Sequence, residues 1–288
     1  MKGKGKMAFT PEKEKLEKKK FGEQRIFNLI ILDESGSMEA IEKQAVSGLN
    51  ETFQTIANAQ KEHQEQKHFI SFVTFNSKRV KTVMNRQPVD PDKKQKWTDY
   101  KPDDCTPLFD AMGLSINELK HYVKKDDVVL VTIITDGYEN DSREYSGSDI
   151  KRLVGELKKK GWVFAYIGTN QDVDAVADDM GIRSRMSYEY SDRGACDMFE
   201  TERTCKRNFY SRIHNEGRAA VSCVNFDYFD MGDKDNQENE EQQEKEPDIV
   251  WDMKDEDEQQ GSSDSDAITE EQTPSRGLWG IIKNYIAG

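Results

Sequence analysis

Residues 26–38 read IFNLIILDESGSM. Seven residues, all apolar but Asn28, end abruptly at Asp33, and two serines follow at once, with a glycine between them. A near-continuous apolar run of this length predicts a strand over Arg25–Leu32 buried on both faces, as in a parallel sheet covered by helices. Asp33, Ser35 and Ser37 then crowd oxygen acceptors at the point where the strand gives out. A helix N-cap explains part of this, since Ser37 stands just ahead of Glu39 and a helical stripe.

That stripe, Ile41, Ala45, Leu49, Phe53 and Ile56, predicts a helix from Glu39 to about Ala59. His68–Phe75 and Val80–Met84, separated by Asn76-Ser77-Lys78, predict a hairpin. Residues 85–105 hold three prolines and are expected to be mostly loop. Thr106-Pro107 opens a second helix, with Leu108, Met112, Ile116, Leu119 and Val123 on one face. The run DVVLVTIIT, 127–135, predicts another buried strand, and it too ends at an aspartate, Asp136, followed by Gly137. A helix near 148–160, a strand over Trp162–Gly168, a short helix near 172–179, a weaker strand over Arg185–Tyr190 and a long helix over about 193–214 complete the alternation. The fold class is α/β: a Rossmann-like, doubly wound, mostly parallel central sheet with one antiparallel edge strand and helices on both faces.

Charge divides the chain. Lys2 to Lys20 carries eight Lys against three Glu, whereas Asp227 to Glu271 carries nineteen Asp/Glu against three Lys. We therefore expect a basic disordered arm over 1–21, a folded domain over 22–216, an unassigned extension over 217–230 and an acidic disordered linker over 231–275. The terminal segment 276–288 turns apolar again. Leu278, Trp279, Ile281, Ile282, Tyr285 and Ile286 fall at or beside helical spacing, which suits a docking helix for a second protein contact or a weak membrane-surface anchor. No stretch is apolar enough to span a bilayer, and no secretory signal is evident. Cys105, Cys196, Cys205 and Cys223 show no CxxC pair, which fits a reduced, cytoplasmic setting. The basic arm lacks interleaved aromatics apart from Phe9, and nucleic acid is not an expected partner.

Ligands of doubly wound sheets bind beyond the carboxyl ends of the strands. Asp33, Ser35, Ser37, Thr106 and Asp136 are all expected at that edge, and all are hard oxygen donors. Two carboxylates with hydroxyls suit Mg²⁺ or Mn²⁺ rather than zinc. DESGSM (33–38), DCTPLFDAM (104–112) and ITDGYEN (134–140) resemble the three segments of the metal-ion-dependent adhesion site of von Willebrand factor type A domains. The likeness covers roughly Arg25 to His214 and looks closest to intracellular bacterial and phage-type members, such as those linked with tellurite resistance. It implies that Ser35, Ser37 and Thr106 ligate a divalent cation directly and that Asp33 and Asp136 bind directly or through water. It further implies that an Asp or Glu of a protein partner completes the coordination, so that the domain is an adaptor or regulator rather than an enzyme.

Glu34, Tyr138, Glu139, Asn170 and Asp172 are expected on the rim of the same edge, as partner contacts or, for Asp172, as a helix cap. The competing class is a Mg²⁺-dependent phosphohydrolase using the same strand-end carboxylates. Such enzymes with a strand-end aspartate nucleophile want a second aspartate two positions on, where this chain has Ser35. No GxGxxG or GxxxxGK[ST] stretch occurs. His63, His68, His121 and His214 are scattered along the chain and read as surface or core residues.

Overall fold

The computed structural model describes residues 22–169, 172–223 and 225–232. The basic arm, Asn170, nearly all of the acidic segment and the terminal residues Leu278, Trp279, Ile281, Ile282, Tyr285 and Ile286 lie outside the described residues.

Six strands form one sheet in the order β3-β2-β1-β4-β5-β6. They are β1 (Gln24–Asp33), β2 (Gln66–Asn76), β3 (Arg79–Pro88), β4 (Val128–Ile134), β5 (Trp162–Gly168) and β6 (Ser184–Ser187). Every neighbouring pair is parallel except β2–β3, the edge hairpin. Helices α1 (Glu42–Glu62), α2 (Leu108–Lys120), α3 (Gly147–Lys158), α4 (Val173–Asp179) and α5 (Asp192–Glu216) cover it.

The unbroken apolar runs are explained by where successive side chains go. Along β1, Ile26, Ile30 and Leu32 enter the core shared with α1 and α5, whereas Phe27, Leu29 and Ile31 enter the core shared with α2, α3 and α4. A strand buried on both faces has no polar side to show. Asn28 is the exception, and its amide accepts a 2.6 Å hydrogen bond from the Tyr210 hydroxyl of α5.

The strand expected over Arg185–Tyr190 is shorter, Ser184–Ser187, and three further details depart from the sequence expectation. Gly36–Ile41 is a 3-10 turn, and the α-helix proper starts at Glu42. β3 runs on to Pro88 because Arg86, at φ 47°, lets the strand absorb a register shift opposite Ile70–Phe72. The following loop is core rather than cover: Trp97 packs edge-on against Phe72 at 4.8 Å, and Tyr100 lies 5.4 Å from Trp97. Residues 217–223 and 225–232 close the α5 face, with Val221 and Tyr228 fully buried. No helix among the described residues is long and apolar enough to cross a membrane.

Helices α1 and α5 meet where Gly48 lies under the ring of Phe199. A Cβ added at Gly48 would sit 2.2 Å from Phe199 Cγ. Alanine is the better helix former by about 1 kcal/mol, yet overpacking a filled contact costs about 1–3 kcal/mol. Gly48→Ala is therefore expected to lower the urea midpoint, and a raised midpoint would show that the two helices separate freely.

Candidate metal centre

Chain order places β1 at the centre of the sheet, and the crossover through α2 puts β4 on its other side. The gap between the carboxyl ends of β1 and β4 is thus the topological switch point. Leu32 is in register with Ile134, so the chain delivers Asp33 beside Thr135, and Asp136 follows.

Asp33 is fully buried. Its Oδ1 accepts the Ser35 backbone N–H at 2.7 Å, and its Oδ2 accepts the Thr135 hydroxyl at 2.6 Å. Ser35 Oγ lies 3.1 Å from Ser37 Oγ, and the Ser37 hydroxyl donates to Asp136 Oδ1 at 2.7 Å. Thr106 reaches the same place from the loop before α2. A Cβ built on Gly137 would be 3.5 Å from Thr106 Oγ1 and 3.7 Å from Ser37 Oγ. The bare face of this glycine thus opens onto both hydroxyls.

Backbone bonds fix these segments to one another. Gly36 N–H donates to the Asp104 carbonyl at 3.0 Å, and Asp103 N–H donates to the Glu34 carbonyl at 2.9 Å. Thr106 N–H donates to Asn140 Oδ1 at 2.8 Å, tying the second segment to the third. The Tyr100 hydroxyl donates to the Asp33 carbonyl at 2.5 Å, and the Tyr190 hydroxyl donates to the Ser37 carbonyl. Thr135 and Asn140 belong to a segment the sequence already marked. Tyr100 and Tyr190 sit in stretches with no motif, and only the fold shows their part.

Burial sets the electrostatics. It pushes the Asp33 carboxyl up to about 7, despite hydrogen bonds from Thr135 and Ser35 that favour the charged form. Asp136 is also raised, chiefly by burial. Asp136 Oδ2 is buried without a hydrogen-bond partner, and so is the Tyr188 hydroxyl, held un-ionised by burial and then by Asp136 and Asp33. Two close, buried carboxylates and an orphaned oxygen form a donor set short of positive charge. The residues present fit a hard divalent cation: five oxygen-bearing side chains, no sulfur and no imidazole.

The residues expected on the rim divide. Tyr138 is exposed, and its hydroxyl accepts the Asp172 N–H at 3.1 Å. Asp172 caps α4, accepting the Ala175 N–H at 3.0 Å. Glu34 is fully buried rather than displayed, with Oε1 accepting the Lys101 N–H at 3.0 Å and facing Arg79 at 3.8 Å. Glu139 is turned inward as a staple: its carboxylate accepts the Phe109 N–H at the start of α2 and the N–H groups of Asp141 and Ser142. Asn170 is outside the described residues.

An antiparallel hairpin edge on a parallel sheet, with DESGS, Thr106 and TDG meeting at its switch point, decides the architecture. The chain has a von Willebrand factor A-like fold. No family model matches the chain, and no curated protein matches its sequence. Among solved structures, it is similar to a von Willebrand factor type A protein from Catenulispora acidiphila, with 12% identity over 65% of this chain and 43% of that one, at a TM-score of 0.47. It is also similar to the PilB minor pilin from Streptococcus sanguinis, at 14% identity, 65% and 62% coverage and a TM-score of 0.46. A third is the manganese-loaded TRAP protein of Plasmodium vivax, at 14% identity, 61% and 72% coverage and a TM-score of 0.39. The chain thus spans under two thirds of the length of the first two.

Proposed function

We propose that this A-like domain is a metal-dependent protein-binding module, an adaptor or regulator working in the cytoplasm. Asp33, Ser35, Ser37, Thr106 and Asp136 would hold Mg²⁺ or Mn²⁺. The ion, when bound, supplies a positive, oxygen-seeking centre for an Asp or Glu of a partner protein. The single observation that carries this reading is the buried Asp33–Asp136 pair, with Asp136 Oδ2 unpartnered and the Ser37 hydroxyl on Asp136 Oδ1. A charge arrangement of this kind is costly by itself and is relieved by a cation. Exposed Tyr138, hydrogen-bonded to Asp172, forms the part of the rim open to a partner. Segment 276–288 would be a second protein contact, independent of the metal.

The test compares wild type, Asp33→Ala and a 276–288 deletion, each with Mn²⁺ or with chelator. Asp33→Ala is expected to weaken Mn²⁺ binding, read by calorimetry, by more than about tenfold. It should also abolish the chelator-sensitive share of partner capture while leaving the deletion-sensitive share intact. Mg²⁺-dependent turnover of a phosphate ester, lost in Asp33→Ala, would instead establish the phosphohydrolase.

A further inference from the structure

At the opposite end of the sheet, the two histidines that look unrelated in the sequence come together. His63 follows the last residue of α1, Glu65 lies in the short link to β2, and His214 is in the last turn of α5. Their rings stack with centroids 4.5 Å apart and planes 20° apart. Glu65 Oε1 lies 2.7 Å from His214 Nδ1. One ligand atom from each of the three residues lies within 4.8 Å of the others, and this is the one such cluster among the described residues.

We propose that His63, Glu65 and His214 form a second metal site, for Zn²⁺ or a cation of the same class. Two imidazoles and one carboxylate are a ligand set for a borderline cation, whereas the Asp33 site is all oxygen. Strands β1 and β2 start beside one site and end at the other. With ten residues in β1, the two sites lie roughly 30 Å apart. They cannot share an ion.

Three further features support the assignment. The scaffold is fixed: Gln24 N–H donates to the Glu65 carbonyl at 2.8 Å, His63 N–H to the Ala59 carbonyl at 2.8 Å and Gln66 N–H to the His63 carbonyl at 2.9 Å. The C-terminal ends of α1 and α5 converge here, and the negative ends of two helix dipoles favour a cation. His63 has little else to bind, since its Nε2 faces only Ser211 Oγ, at 3.5 Å. A simple His214–Glu65 ion pair would leave the second, stacked imidazole unexplained. The cluster is partly open, with His214 33% and Glu65 17% exposed, so an ion can enter from solvent. Binding would displace the proton shared by His214 Nδ1 and Glu65 into solvent. Three protein ligands leave a fourth position for water, and the filled site would pin the end of α1 to the end of α5.

The test is Zn²⁺ binding by the full chain, measured by equilibrium dialysis in excess Mg²⁺. Wild type, Asp33→Ala, His63→Gln, Glu65→Gln and His214→Gln are compared, with far-UV circular dichroism to confirm folding. Wild type and Asp33→Ala should each retain a single tightly held equivalent. Each ligand variant should weaken its binding by more than about 100-fold. If His214→Gln does not fold, Glu65→Gln decides, because it keeps the side-chain shape. The proposal is overturned if wild type takes up no zinc, if folded ligand variants bind like wild type, or if Asp33→Ala loses the ion as they do.

Discussion

In chelator at pH 8, Asp33→Asn is expected to be more stable than wild type. Replacing a buried, hydrogen-bonded aspartate usually costs stability, so the sign is informative. With the Asp33 carboxyl pushed from 3.8 up to about 7, ionising it in the folded chain costs about 4 kcal/mol more than in the unfolded chain. The folded state therefore holds the extra proton. In metal-free wild type, stability present below about pH 4 is lost as pH rises towards 7, and the loss levels off above that. Asparagine removes the charge and keeps the shape. Its Oδ1 can accept the Ser35 N–H as Asp33 Oδ1 does, and its amide can donate to the Thr135 hydroxyl, which then donates to the Gly137 carbonyl, 3.3 Å away. Unfolding free energies of the two proteins, from urea titrations, should converge near pH 4 and separate by about 1–4 kcal/mol at pH 8. Adding Mg²⁺ should raise the wild-type midpoint and leave Asp33→Asn where it was, because only the wild type offers the ion a carboxylate there. A metal-free Asp33→Asn that is less stable than wild type at pH 8 would show that the charge at Asp33 is satisfied without a cation.

The same site shows what a sequence can and cannot carry. Asp33 and Asp136 were legible because each ends an uninterrupted apolar run, and parallel strands buried on both faces leave few alternatives for register. Thr106 was legible as the start of a helical stripe. Glu34 was not: it follows Asp33 directly, yet the loop through Trp97, Tyr100 and Lys101 folds over it and makes it interior. That loop has no periodicity, and its burial is a consequence of tertiary packing alone. Glu139 likewise looks like a surface acid in TDGYEN, but its carboxylate accepts the Phe109 N–H at the start of α2. His63 and His214 are 151 residues apart in the chain, and only the pairing of α1 with α5 brings them into contact. Local pattern thus located side chains presented by strand ends. It did not locate those that reach their partners through loops or helix pairing.

Acid should expose a second charge cost, of opposite sign, at His68. This ring is buried beneath α5, and burial first, then the nearby His63 and Lys206, lowers its pKa from 6.5 to about 3. The hydrogen-bond pattern assigns the neutral tautomer: Nε2–H donates to Gln66 Oε1 at 3.1 Å, and Nδ1 faces the Asn28 amide at 3.5 Å. Asn28 is itself committed, accepting from Tyr210, and Gln66 donates to the Tyr210 carbonyl. A proton on Nδ1 would point at an amide that can only donate. Here the unfolded chain holds the extra proton between pH 6.5 and about 3. Stability is therefore fully present above pH 6.5 and is lost as pH falls through that window. The full cost is roughly 4–5 kcal/mol, of which about 2 kcal/mol should appear by pH 5, before most exposed carboxylates titrate. In chelator, the Asp33 contribution runs the other way over the same range and would mask part of the slope. The measurement therefore belongs in the Asp33→Asn background. There, the urea midpoint should fall from pH 7 to pH 5, and His68→Gln should flatten that fall while lowering stability at pH 8. The His68 ring should keep the NMR shifts of a neutral imidazole at pH 5, and an imidazolium signal from the folded state would refute the assignment.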